Sequence, residues 1–106
     1  AERLKQDALA LEQAGCFAIV LECVPSQLAK EITASLKIAT IGIGAGVDTD
    51  GQVLVMQDLL GLNLDFKPKF VNQFLDGNQL IRKAVDHYSH SVKHKEFPSY
   101  EHCYQA

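Results

Sequence analysis

One apolar run ends in a single carboxylate and is closed by proline: Ile19-Val20-Leu21-Glu22-Cys23-Val24-Pro25. Its apolar part extends back to residue 16, and Gly15 precedes it. A short, continuous and partly β-branched run predicts a parallel strand that is covered on both faces. Ligands of parallel α/β folds bind beyond the carboxyl ends of the strands. Glu22 is therefore predicted to lie at a site.

The segments on either side of this strand alternate between helical and strand patterns. Residues 2–14 have apolar side chains at helical spacing, and Gly15 is placed to end that helix. Pro25 suits the first turn of a second helix, and residues 38–43 form a second strand-like run that leads into Gly44-Ala45-Gly46. The order helix, strand, helix, strand predicts an α/β fold with a parallel sheet.

The second half of the chain is less regular. Residues 53–56 have the composition of a strand, but a helix over 50–61 is favoured, because Asp50 can cap it and a strand would leave too short a connection for a covering helix. A short strand at 64–66, a helical apolar cluster at 69–75 and a long helix at 76–95 follow. Asp76 and Gln79 have capping-box spacing at the start of that last helix.

Composition indicates the class of protein. The chain has 106 residues, 47% hydrophobic and 22% charged, as expected for one globular domain. A net charge of -3 without long blocks of one sign disfavours nucleic acid and anionic membrane surfaces as partners. The sequence shows no apolar run long enough to span a bilayer and no secretory signal, so the prediction is a soluble, cytoplasmic protein.

Cysteines and histidines offer weaker candidates. Three cysteines, at positions 16, 23 and 103, cannot all pair within one chain, and reduced thiols are the simplest interpretation. Cys23 is either a nucleophile or a small apolar filler. His90 and His94 have the i,i+4 spacing of a metal site, although their stripe lies away from the apolar face of the helix.

Glu22 has two interpretations. A carboxylate at a strand exit among apolar neighbours is placed to act as a general base. It is equally suited to capping the next helix or pairing with a cation.

The three residues Gly44, Ala45 and Gly46 follow the second strand. Gly42, Gly44 and Gly46 do not complete the dinucleotide-binding fingerprint. Alternate glycines allow close backbone approach and present N–H groups, which suits a substrate carboxylate or an oxyanion. Gly44, Ala45 and Gly46 are therefore candidate substrate-binding residues, and a tight turn without a ligand is the alternative.

Six segments, in order, closely resemble the ketopantoate hydroxymethyltransferase family. They are Leu-Glu-Cys-Val-Pro at 21–25, Ile-Gly-Ile-Gly-Ala-Gly at 41–46, Asp-Gly-Gln-Val-Leu-Val at 50–55, Asp-Leu-Leu-Gly at 58–61, Lys-Pro-Lys-Phe at 67–70 and Phe-Pro-Ser-Tyr-Glu-His at 97–102. The resemblance implies a (β/α)8 TIM barrel of the phosphoenolpyruvate mutase-like type. Because such a barrel needs roughly 250 residues, residues 1–106 are expected to be a single segment from its C-terminal portion, with the N-terminal strands absent.

The resemblance also implies an activity. The family transfers a hydroxymethyl group from 5,10-methylenetetrahydrofolate to 3-methyl-2-oxobutanoate, giving 2-dehydropantoate on the route to pantothenate and coenzyme A. The glutamate of its Leu-Glu-Cys-Val-Pro motif is the base, and Glu22 matches it. Mg²⁺ chelates the keto acid and stabilises the enolate. The family's metal ligands lie on earlier strands that nothing here matches, so no metal ligand is predicted in this chain.

Partners follow from the same resemblance. A few strands alone leave a barrel open with unpaired edges, so the expected protein partners are the N-terminal barrel segment, further copies in a homo-oligomer, or both. Two alternatives stay open. One is a catalytically incomplete fragment or assembly module of the barrel, and the other is a different 2-oxo-acid enzyme of the same superfamily.

Overall fold

The computed structural model describes all residues from Ala1 to Ala106. Four α-helices, three β-strands and one 3-10 helix follow each other along the chain. They are α1 Glu2–Gln13, β1 Ala18–Glu22, α2 Ser26–Ser35, β2 Ala39–Ile43, β3 Gly51–Gln52, α3 Met56–Leu59, α4 Gly77–Lys93 and the 3-10 helix Tyr100–His102. No helix is both long and apolar enough to cross a membrane.

The sheet has the order β1-β2-β3, and both pairs of neighbours are parallel. In the register of β1 and β2, Glu22 lies opposite Ile43, so the two strands end at the same edge. The prediction of an α/β fold with a parallel sheet in the first half of the chain is confirmed. The same register fixes where Glu22 and the glycine segment meet.

The hydrophobic core lies between one face of the sheet and helices α1 and α2. Ile19 and Leu21 of β1 are buried on this face, whereas Val20 between them is 61% exposed. The prediction of a strand covered on both faces is therefore wrong for this chain: side chains alternate between the faces of a strand, and only the helical face is covered. The core residues are Ala8, Ile19, Leu21, Val24, Ala29, Ile32 and Ala45.

Helix α1 also holds the start of β2 by hydrogen bonds. The Glu12 carboxylate accepts from the backbone N–H groups of Lys37 (2.5 Å) and Ile38 (3.0 Å). Two backbone donors that lie outside the ladder of the sheet are satisfied in this way. The contact closes the α1-β1-α2-β2 unit at its amino-terminal edge.

Asp50 has a different role from the predicted helix cap. Its carboxylate accepts from the Thr40 backbone N–H (2.8 Å) and hydroxyl (3.1 Å), and Thr40 is fully buried. These bonds hold the residues before β3 against β2, so Gly51–Gln52 forms a third strand and the predicted helix over 50–61 is wrong. Only α3, at Met56–Leu59, is helical within that range. The connection from β2 to β3 is a loop without a covering helix. The expectation that such a connection would be too short between parallel strands is therefore wrong.

Two further predictions in the second half are wrong. Residues 64–66 are not a strand, and residues 69–75 are not a helix. The backbone N–H of Phe74 donates instead to the Leu59 carbonyl (2.8 Å), and that of Gly77 donates to the Leu60 carbonyl (2.8 Å). Long-range backbone bonds of this kind replace the local bonds that a helix would make.

Helix α4 starts at this backbone contact. The Asp76 carboxylate accepts from the Gln79 N–H (3.4 Å), as its predicted capping position requires. Gly61 and Gly77 allow the two backbone segments to cross closely. A Cβ atom on Gly61 would overlap the Leu75 carbonyl oxygen, and one on Gly77 would overlap the Leu60 carbonyl oxygen. We call this contact the Gly61–Gly77 crossing.

The molecule is extended. Its radius of gyration is 22.8 Å, whereas a compact chain of this length has about 13 Å. The apolar side chains of α4 remain largely exposed: Leu80, Ile81, Val85, Tyr88 and Val92. The chain therefore has apolar surface on α4 and on the open face of the sheet that its own residues do not cover.

One ion pair between α1 and α2 gives a pH-dependent prediction. Lys5 Nζ lies 2.6 Å from Glu31 Oε2. This hydrogen bond to Glu31 raises the pKa of Lys5 above its ordinary 10.5, and the hydrogen bond from Lys5, followed by that from Gln27, lowers the pKa of Glu31 below its ordinary 4.5. Because its pKa is lowered, Glu31 stabilises the fold at pH values above 4.5, and this contribution is lost as the pH falls through the lowered pKa. Because its pKa is raised, Lys5 stabilises the fold at pH values below 10.5, and this contribution is lost as the pH rises through the raised pKa.

We therefore expect Lys5→Met to lower the urea midpoint of unfolding slightly at pH 7 and to have less effect at an acid pH below the lowered pKa of Glu31, where that carboxylate has taken up a proton. The Lys5 side chain is half-buried and that of Glu31 is exposed, so solvent screens the pair and the effect at pH 7 is small. Glu31→Gln serves as the matched control. It removes the same ion pair, so its effect on the urea midpoint should also be smaller at the acid pH. An equal Lys5→Met effect at both pH values would contradict the assignment.

Candidate functional site

The candidate site lies at the edge where β1 and β2 end. Glu22 is the last residue of β1, and Ile43, its partner in the register, is the last residue of β2. The glycine segment Gly44–Gly46 follows at once, so the sheet brings the predicted base and the predicted substrate-binding residues to the same edge. Glu22 and the glycine segment share one edge because β1 and β2 are parallel and end opposite each other.

The Glu22 carboxylate is exposed, on the face of the sheet that the helices do not cover. By the alternation along the paired strands, it shares this face with Val20 of β1 and with Ile41 and Ile43 of β2. Helix α2 has no side-chain cap at its start, and Glu22 belongs to none of the ion pairs. The two structural roles considered for Glu22, cap and ion-pair partner, are thus not observed.

Cys23 turns the chain immediately after the base. Its φ is 53°, in the left-handed region that non-glycine residues rarely adopt, and its N–H donates to the Ile43 carbonyl (2.9 Å). The bond continues the pairing of the two strands one residue past Glu22, so the backbone that carries the carboxylate is fixed. All three cysteines are unpaired, as predicted.

A cavity of about 490 Å³ opens beside this turn. Its lining is Cys23, Val24, Pro25, Ser26, Gly44, Gly46, Lys69 and Phe70. Gly46 is required there, because a Cβ atom would lie 2.6 Å from Cβ of Ser26. Gly44 and Gly46 therefore line a cavity, while Ala45 between them is buried in the core. We call this space the mouth cavity.

Lys69 and Phe70 are the part of the site that the sequence interpretation missed. The Phe70 ring packs on the glycine segment, since a Cβ atom on Gly44 would lie 3.0 Å from the ring. The ring also lines a second, more apolar cavity of about 590 Å³ with Val47, Val53 and Phe74. An available signal was a cation beside an aromatic residue directly after Pro68.

The acidic and histidine side chains do not form a site that fits Mg²⁺. No group of three or more His, Cys, Asp or Glu side chains lies close enough to hold a metal ion. Asp50 accepts hydrogen bonds from Thr40, and Asp48 Oδ1 lies 3.7 Å from Lys30 Nζ. The His90 and His94 rings are stacked with centroids 3.9 Å apart, and His94 Nδ1 lies 2.8 Å from the His90 carbonyl oxygen.

Comparison with known proteins adds evidence of another kind. The profile of the family described as Ketopantoate hydroxymethyltransferase matches residues 1–100. A protein of Francisella tularensis subsp. tularensis strain SCHU S4, named 3-methyl-2-oxobutanoate hydroxymethyltransferase, is 56% identical over 104 residues. Proteins of the same name from Bdellovibrio bacteriovorus and Coxiella burnetii are each 57% identical, over 103 and 105 residues.

These alignments cover unequal shares of the two chains. They include 98%, 97% and 98% of this chain but 39%, 39% and 40% of the Francisella, Bdellovibrio and Coxiella proteins. The chain thus spans about two fifths of the length of the curated relatives that it matches.

Proposed function

Since this chain belongs to the ketopantoate hydroxymethyltransferase family, we propose that it supplies the base-bearing part of a barrel that hydroxymethylates 3-methyl-2-oxobutanoate. The donor is 5,10-methylenetetrahydrofolate and the product is 2-dehydropantoate, a precursor of pantothenate. The observation that carries the proposal is the unpaired, exposed Glu22 carboxylate at the carboxyl edge of a parallel sheet, in a chain that matches the family over residues 1–100.

Glu22 acts as the general base in this proposal. Its carboxylate accepts the proton from C3 of the keto acid, which leaves an enolate. The C3 carbon of the enolate bonds to the one-carbon unit of the folate, water supplies the hydroxyl group, and tetrahydrofolate is released. The backbone bond from Cys23 to Ile43 supports this role because it holds the main chain that carries the carboxylate at the edge of the sheet.

The remaining strands of a (β/α)8 barrel complete the open face in this proposal, with residues 1–106 as one C-terminal segment of that barrel. The uncovered Val20, Ile41 and Glu22 lie on the face that would then line the barrel interior. Mg²⁺ is part of the proposal as a cofactor, with ligands outside this chain, because the residues present do not form a site for it. No step above depends on it.

The proposal extends to assembly and location. The exposed apolar face of α4 suits burial against further protein, either the rest of the barrel or a neighbouring subunit of a homo-oligomer. The extended shape favours the same view, in which this segment acts only as part of a larger assembly. Three unpaired cysteines are consistent with a reducing, cytoplasmic compartment.

Product analysis tests the proposed reaction. A full-length enzyme that contains this segment should convert 3-methyl-2-oxobutanoate to 2-dehydropantoate only when methylenetetrahydrofolate is present, and tetrahydrofolate should appear in equal amount. If the keto acid is consumed without folate, or gives another product, the protein is a different 2-oxo-acid enzyme. On residues 1–106 alone, the mass in solution and Mg²⁺-dependent binding of the keto acid test the assembly view, for which a large oligomer without binding is expected.

A further inference from the structure

We propose that the mouth cavity binds the aminobenzoylglutamate half of the folate, with Lys69 pairing with a glutamate carboxylate and Phe70 packing on the benzoyl ring. The inference rests on the proposed function, since it assigns a place to the second substrate of that reaction.

The position of the cavity separates it from the keto acid. Cys23 lines the cavity, but Glu22, its neighbour in the chain, does not. The keto acid must contact the Glu22 carboxylate, which lies on the open face of the sheet. The mouth cavity therefore adjoins the reacting centre without containing the base, as expected for the site of a second substrate.

The size of the cavity agrees with this division. About 490 Å³ lies within the range of about 300–1,000 Å³ that accommodates drug-sized ligands. A five-carbon keto acid would leave most of that space empty. The aminobenzoylglutamate half of a folate fills more of it, because it joins a benzoyl ring to a glutamate in one extended unit.

The charged and aromatic residues of the lining indicate which half of the folate binds in the cavity. Lys69 is the only charged lining residue, and its ammonium group takes part in none of the ion pairs of the chain. Phe70, the next residue, is the only aromatic one, and its ring packs against Gly44. A cation beside an aromatic ring matches a carboxylate beside a benzoyl ring, which is the arrangement at the glutamate end of the folate.

Lys69→Met in the full-length enzyme tests the contact. We expect KM for methylenetetrahydrofolate to rise about tenfold, the loss of one charge-assisted contact at a solvent-exposed rim. Both kcat and KM for the keto acid should stay within about twofold of the wild-type values. Lys67→Met is the matched control: Lys67 lies two residues away, outside the cavity lining, and its removal should change neither KM.

A truncated donor makes the test specific. With a 5,10-methylenetetrahydropteroyl donor in which a neutral carboxamide replaces the glutamate, wild type and Lys69→Met should have equal KM values. The contact is overturned if the Lys69→Met penalty persists with the truncated donor, if KM for the keto acid rises instead, or if Lys67→Met has the same effect as Lys69→Met.

Exchange of the keto acid C3 proton with solvent separates this inference from the proposed function. The exchange does not require folate, so Lys69→Met should exchange at the wild-type rate. Normal folate-dependent turnover with unchanged KM values in Lys69→Met would refute only the folate site. Absence of folate-dependent turnover in the wild type would refute both.

Discussion

Glu22→Gln in the full-length enzyme is expected to slow exchange of the C3 proton of 3-methyl-2-oxobutanoate by at least about 100-fold, since general-base catalysis typically contributes 10²–10⁴. The amide has nearly the same shape as the carboxylate but cannot take up the proton. Loss of the C3 proton signal in D₂O, followed by proton NMR, measures this step without folate. Turnover to 2-dehydropantoate should fall as well, because carbon–carbon bond formation requires the enolate.

Glu31→Gln is the matched control for this change. Glu31 lies on α2 and pairs with Lys5 of α1, away from the strand ends, so its replacement removes a carboxylate without touching the proposed base. Exchange should continue at the wild-type rate in that variant. Wild-type exchange in Glu22→Gln would show that another group removes the proton, and the role assigned to Glu22 would be wrong.

Gly61→Ala is expected to destabilise the chain by about 3 kcal/mol, the sum of a left-handed backbone penalty and a steric one. Gly61 has φ 66°, and an added methyl group would overlap the Leu75 carbonyl oxygen. The chain can relieve the overlap only by separating the two backbone segments of the Gly61–Gly77 crossing. The hydrogen bonds from Phe74 to Leu59 and from Gly77 to Leu60 would then break.

Comparison with Gly15→Ala isolates the steric part of the destabilisation by Gly61→Ala. Gly15 also has positive φ, at 96°, but nothing lies within 4 Å of the position of its Cβ atom. Its replacement should cost only about 1 kcal/mol. Urea unfolding measures both variants, and hydrogen exchange should show faster exchange of the Phe74 and Gly77 amides only in Gly61→Ala. Equal destabilisation by the two substitutions would mean that the crossing contributes nothing beyond backbone strain.

The first half of the fold follows from local patterns. Helical spacing in residues 2–14, the apolar run before Glu22 and the glycine segment after β2 each predict their element from neighbouring residues alone. Parallel pairing then brings Glu22 and the glycine segment to the same edge, so the general location of the candidate site could be predicted.

Residues 50–75 could not be predicted in the same way, because distant partners determine their conformation. Asp50 has the composition and position of a helix cap, yet it binds Thr40 of a neighbouring strand. Phe74 belongs to a helix-like apolar cluster, yet its N–H donates to Leu59. Lys69 and Phe70 were missed as site residues for the same reason: the cavity that they line has its other walls 23 to 47 residues earlier in the chain.

The buried Thr40 also determines how faithfully the sheet assembles. Its hydroxyl lies 2.9 Å from that of Thr33, and its N–H and hydroxyl both donate to Asp50. If β2 slipped by one residue along β1, an apolar neighbour would take this place and every side chain of β2 would change face. Each buried polar group left without a partner would cost about 1–3 kcal/mol. A mispaired sheet is thus disfavoured by a polar network near the start of β2, and this network helps to keep the register that places Glu22 opposite Ile43.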